Sequence, residues 1–418
     1  MKKIILISLI MILSLSAIIV FNMPSRGEDE ITFVHRWPED NFNSYFEYAV
    51  KQFQEQNPNV VFKMKSFSPE EYEQKINMFF STDNPPDIFY TNAGEYGNKY
   101  IRENQVLELT EYYDEDNIWS DNIVEAAVNS FTYDDKIYGV PISMDVRMLA
   151  YNKEIFNKLD IEVPETWSEF IKILEILKEE GYIPLGYSDK TSLHGDIYIT
   201  ILNQRILGLE KLREGYNNGF RNEGYLEALE KIEKLRPYIN EHPEELSRIE
   251  ERSMFRDGEI AIMSLHTQEL AYLEDMDYEW GVFNFPEIEE GKGDPSVIAG
   301  LPAGFMISKE TENPVIAMEF LKFITSIEMS KEWVQMSNSI STTKGAVNKD
   351  NDTPLKMEVI KEVRKANEFC FYLDNVINIE VYQAYLEGIR QILNEERTPE
   401  EVIYDIREVA EKIRNETE

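Results

Sequence analysis

The stretch His35-Arg36-Trp37-Pro38-Glu39-Asp40-Asn41 brings an aromatic ring and two carboxylates together. Trp37 offers a flat stacking face, and Glu39 and Asp40 offer hydrogen-bond acceptors. In a chain this acidic the same residues also read as a partly buried ring beside two solvated acids. Reactive chemistry has less support. The four histidines, His35, His194, His242 and His266, show no His-x-x-His or His-Glu-x-x-His spacing for a metal. Cys370 is the one cysteine, so neither an intramolecular disulfide nor a thiolate cluster can form. No Gly-x-Ser-x-Gly elbow occurs, and Gly291-Lys292-Gly293 lacks the rest of a phosphate-binding loop. Paired carboxylates of the kind glycosidases use are the one catalytic element on offer, and among 78 acidic residues such pairs arise by chance. These residues describe a binder that needs no cofactor, not an enzyme.

Positioning such groups takes a folded scaffold, and 418 residues suffice for two domains or so. Hydrophobic residues at 43% and charged residues at 29% exclude a disordered or fibrous chain. The 42 Lys and Arg face 78 Asp and Glu, and a formal charge of -36 repels phosphate backbones and anionic headgroups, which excludes nucleic acid as a partner. Lys2 and Lys3 precede the uncharged run Ile4 to Phe21 and the polar Asn22 to Arg26, the order of an export signal. That run is also long enough to span a bilayer, so residues 1–25 read as a signal peptide or as an uncleaved membrane anchor. Leu15-Ser16-Ala17 begins like a lipoprotein processing box, but Ile18 stands where the lipid-bearing cysteine is needed, so lipidation is not expected.

After the signal, Ile31-Thr32-Phe33-Val34 reads as a strand, and Asn43 or Ser44 can cap a helix carrying Phe46, Ala49, Val50 and Phe53. Val60, Phe62 and Met64 alternate as a second strand, Tyr72, Ile76 and Phe79 mark a second helix, and Pro86 to Tyr90 is a third strand. This alternation predicts crossover units on a parallel sheet. Thr166 with Glu169 and Thr398 with Glu401 predict capping boxes, Asn313-Pro314 starts a helix, and Ile260 to Met263 is a buried strand. No stretch rich in Gly, Ser or Pro separates the two halves.

Several segments together resemble the extracellular solute-binding proteins of ATP-binding cassette importers, in the carbohydrate-binding group that includes maltose-binding protein. They are Tyr138-Gly139-Val140-Pro141, Leu149 to Phe156 and Pro164 to Phe170, with Pro86-Asp87-Ile88, Phe255 to Met263 and Gly300 to Ser308 in support. The resemblance implies a two-lobed α/β fold with the ligand in a cleft between lobes joined by hinge crossings. Residues 31–143 with 305–340 would form one lobe, and 146–300 with 343–418 the other. It also implies a sugar ligand, a permease partner, an exported location and a monomer. A cationic solute such as a polyamine is the alternative ligand. Trp37, Glu39 and Asp40 would then meet the sugar. By position in the family, Asn92 and Glu95 would join them, and Asp145 falls where the family carries a ligand-binding carboxylate; its competing reading is a hinge salt bridge to Arg147 or a neighbouring base. Gln268 stands at about the place of a family tryptophan, with His266 as a donor beside it. Gly300 would allow close backbone approach, and Tyr382 matches a family aromatic position only loosely, with a core role as its competing reading.

Overall fold

Ile31 and Phe33 are fully buried in β1 (Asp29–His35), the first strand of a mixed sheet. The computed structural model describes residues 29–38, 40–82, 84–190, 194–273, 276–347 and 354–417. The export segment, residues 1–25, and Glu39 lie outside them, and so does the side chain of Asp40. Among the described residues no helix is long and apolar enough to cross a membrane.

The remaining sheet strands are β2 (Val60–Ser66), β3 (Ile88–Asn92), β4 (Val140–Asn152), β5 (Ile183–Gly186), β6 (Ile260–His266), β7 (Trp280–Phe283), β8 (Ile298–Ile307) and β9 (Phe369–Cys370). They join in the order β2-β1-β3-β8-β4-β6-β5, with β9 on β8 and β7 on β4. At the ends, β1 runs parallel to β2 and β3, and β5 parallel to β6. The centre differs from the expected parallel sheet, because β8 is antiparallel to both β3 and β4, and β4 is antiparallel to β6. The crossover argument covers strands linked by a helix. It is silent about β8, which arrives from far along the chain and inserts between β3 and β4.

The helices follow their local signals. Glu169 N–H donates to Thr166 Oγ1 (3.2 Å) and Thr166 N–H to Glu169 Oε2 (3.1 Å), closing a capping box on the helix Trp167–Glu179. The box of Thr398 and Glu401 closes similarly, and Asn313 precedes the helix Pro314–Ile324. The first helix, Asp40–Gln56, starts before its expected cap, so Asn43 lies inside it and donates to Glu47 Oε1 (2.8 Å) across one turn.

Two apolar clusters form the core. One gathers Phe33, Phe46, Phe305, Phe320 and Trp333; the other gathers Phe170, Tyr198, Leu202, Tyr225 and Tyr385. β4 gives Val146 to the first and Leu149 to the second, and β8 gives Phe305 to the first and Ala299 to the second. These two long strands therefore tie the clusters together without a separate linker. The stretch after 343 divides, with Val359, Ile360 and Val363 in the first cluster and Tyr382 and Tyr385 in the second. In the second half, fully buried Arg205 donates to the carbonyls of Phe285 (2.9 Å), Val297 (3.0 Å) and Pro295 (3.1 Å), pinning residues 285–297 to the helix His194–Leu207. Gly293 serves the same clamp: its N–H donates to the Arg205 carbonyl at 3.0 Å, and a Cβ there would lie 2.0 Å from the Gln204 carbonyl oxygen.

Candidate functional site

A cleft of about 520 Å³ opens beside β4 and β8 and is lined from both halves. That volume suits a small molecule, whose sites usually occupy roughly 300–1,000 Å³. Arg36, Trp37, Tyr90 and Asn92 come from the carboxyl ends of β1 and β3, and Gln268 and Tyr272 from the turn after β6. Ser143, Asp145 and Leu301 come from the two long strands, and Tyr372 from just past β9.

Trp37 is held by other rings. It stacks on Phe42 (centroids 5.5 Å, planes 14° apart) and Phe46 (5.7 Å, 19°) and meets the edge of Tyr90 at 4.5 Å. The backbone N–H of Trp37 donates to Nδ1 of His35 at 3.3 Å. His35 is fully buried, and burial lowers its pKa from 6.5 to about 4, so the ring is neutral at pH 7. With Nδ1 accepting, the proton sits on Nε2, which has no hydrogen-bond partner among the surrounding rings.

Asp145 lies midway along β4. Its Oδ1 accepts from Thr267 Oγ1 (2.8 Å), its Oδ2 lies 3.3 Å from His266 Nδ1, and its carbonyl accepts from the Tyr372 hydroxyl (2.9 Å). Burial pushes the carboxyl pKa upward, but hydrogen bonds from His266 and Thr267 and the charge of Arg147 outweigh it, and the pKa ends below its ordinary value. Asp145 is therefore an anion with lone pairs left to accept from a ligand. The competing reading divides: Arg147 pairs instead with buried Asp196 at 2.6 Å and lies 3.6 Å over the Tyr372 ring, while the neighbouring base that faces Asp145 is His266, at 3.3 Å. Burial, with the charge of Asp145, pushes the Tyr372 phenol well up, so it stays a donor.

Trp37, Asn92, Asp145 and Gln268 meet in this cleft. His266 lies behind them and orients Asp145. Three expected residues lie elsewhere. Glu95 is turned to solvent, 60% exposed and ion-paired with Arg102, because it opens a surface helix whose last turn carries that arginine. Gly300 is enclosed between β4 and β9, where a Cβ would lie 2.7 Å from the Phe369 ring and 2.9 Å from Val146; its neighbour Leu301 reaches the cleft. Tyr382 is buried in the second cluster as a core residue.

Sequence reasoning missed Arg36, Tyr90, Tyr272 and Tyr372. Arg36 adjoins Trp37 and Tyr90 closes the apolar run of the third strand, so neither residue type stands out from its neighbours. Tyr272 follows Gln268 by one helical turn and is 59% exposed, with Arg252 4.3 Å over its ring, so it supplies an aromatic face that Gln268 lacks. Tyr372 had no local signal, since the pairing that delivers it joins Ile298 and Ala299 to Phe369 and Cys370, far apart in the chain.

Residues 38–331 match the family described as bacterial extracellular solute-binding protein. The Multiple sugar-binding protein of Streptococcus mutans is 23% identical over 343 residues, 79% of each chain. The Galactooligosaccharide-binding protein of Bacillus subtilis is 22% identical over 312 residues, 70% of this chain and 68% of that one. Among solved structures, the bacterial solute receptor AcbH, described as having an exclusive preference for β-D-galactopyranose, superposes with a TM-score of 0.83 at 17% identity, covering 94% of this chain and 99% of that one. The fold is thus that of the two-lobed solute-binding proteins.

Proposed function

The chain belongs to the bacterial extracellular solute-binding protein family, and from that premise we propose that it captures a mono- or oligosaccharide and delivers it to the permease of an ATP-binding cassette importer. The observation that carries this reading is one cleft holding Trp37 and Tyr272 as ring faces with Asp145, Asn92 and Gln268 as polar partners. A sugar presents an apolar C–H face and a rim of hydroxyls, which those two kinds of group satisfy. The names of the relatives from Streptococcus mutans and Bacillus subtilis support the same ligand class.

Residues 31–143 with 305–340 move as one lobe and 146–300 with 343–418 as the other, hinged along β4 and β8. Sugar bridges both lobes only when they close, so binding shifts the population toward the closed form that the permease recognises. The chain works as a monomer, exported, with its amino-terminal segment as its sole membrane contact, and it does no chemistry on its ligand. A polyamine would meet the Arg36 guanidinium in the cleft, which disfavours a cationic solute. Thermal unfolding of the full-length protein with a panel of mono- and oligosaccharides, a polyamine and a peptide tests this. At least one sugar raises the midpoint; a shift with the polyamine or peptide alone contradicts it.

A further inference from the structure

Arg36 is the group a neutral sugar leaves unexplained. Arg102, Arg147, Arg248 and Arg390 each pair with a carboxylate. Arg36 has no such partner among the described residues, and its Nε is buried without a hydrogen-bond acceptor. Its guanidinium lies 5.3 Å over the Tyr90 ring. It lines both the main cleft and a side pocket of about 30 Å³, which shares Pro69, Tyr90 and Asn92 with the cleft. Lys99 and Glu73 also line the side pocket and offset each other in charge, and Glu70, a carboxylate that feels the Arg36 charge, is exposed and forms no ion pair with it.

A buried guanidinium edge without an acceptor is a cost that a ligand can remove. A hydroxyl answers one N–H, whereas a carboxylate accepts from two guanidinium N–H groups together. The side pocket has room for groups of water size, as carboxylate oxygens are. Asp145, the other described charge lining the cleft, repels an anionic group and accepts from hydroxyls, so it turns the acid end of the ligand toward Arg36.

We propose that the sugar carries a carboxylate, as a uronic acid unit does, and that Arg36 receives it. This rests on the sugar reading of the cleft. The test is calorimetric titration of the full-length protein, held in a non-glycosidic detergent, with matched pairs: glucose and glucuronic acid, galactose and galacturonic acid, and the disaccharides of each. The acidic member of at least one pair binds at least tenfold tighter than its neutral partner. R36Q brings that ratio to within twofold of unity, and R36K, which keeps the charge but not the fork, falls between. Neutral members binding as tightly as acidic ones overturn the carboxylate proposal and leave the sugar reading intact, as does an unchanged preference in a folded R36Q. A sugar phosphate that outcompetes every uronate overturns it too. Failure of every member, acidic and neutral, sinks the sugar reading beneath it.

Discussion

Lowering the pH from 7 to 5 attacks the Trp37 platform through His35. The buried ring has a pKa of about 4 against 6.5 when unfolded, so the unfolded chain takes up a proton that the folded chain refuses. The sign follows. Stability from this group is fully present above pH 6.5, is lost progressively as pH falls, and levels off below about 4. The whole shift is worth about 3 kcal/mol, of which about 2 kcal/mol is lost between pH 7 and pH 5. Other groups titrate in that range, so the informative quantity is a difference between two proteins. In His35→Phe the ring still fits between Phe46 and Phe33, whose centroids lie 4.6 Å and 5.5 Å from that of His35, but the acceptor for Trp37 N–H is gone. The variant is about 1 kcal/mol less stable at pH 7, and urea unfolding at pH 7, 6 and 5 shows that deficit shrinking and reversing by about 2 kcal/mol in total. Parallel curves for the two proteins across that range refute the reasoning.

Asp145→Ala removes a charged acceptor and weakens sugar binding about 10- to 150-fold, the worth of a hydrogen bond to a charged group at about 1.5–3 kcal/mol; a calorimetric Kd within twofold of wild type contradicts its role. Because its pKa lies below the ordinary value, Asp145 stays ionised at pH 5, and the stability it contributes is lost only as pH falls below the usual carboxylate range. Glu95→Ala leaves affinity unchanged and stability within about 1 kcal/mol, as expected for a solvent-exposed ion pair; a tenfold affinity loss places it in the site after all. Arg205→Met strips donors from buried carbonyls and costs at least about 3 kcal/mol in urea unfolding, and a smaller loss shows that residues 285–297 find other partners.

The sequence was most informative where the signal is local. The capping boxes of Thr166 and Thr398 and the helix at Pro314 depend on residues three or four apart, and they stand where expected. The strand–helix alternation gave the parallel pairs of β1 with β2 and β3, and missed both β5 and the antiparallel centre, because the partners of β8 are set by tertiary packing. The same division holds in the cleft. Trp37 was legible because it follows a strand with a clear apolar pattern, whereas Asp145, inside β4, was legible only through the resemblance to the solute-binding family. Glu95 misled because a position after a strand does not say which way a helical side chain points, and its companion Arg102 lies seven residues on. Tyr372 became part of the site only when β9 paired with β8, a contact that no spacing encodes.

The central claim is that a sugar sits against Trp37 in the cleft between the lobes, and calorimetric titration of Trp37→Leu tests it most directly. With the sugar that most raises the unfolding midpoint of the wild-type protein, the folded variant binds at least tenfold more weakly, a loss of about 1.4 kcal/mol. An unchanged Kd in a variant that still unfolds cooperatively contradicts the account.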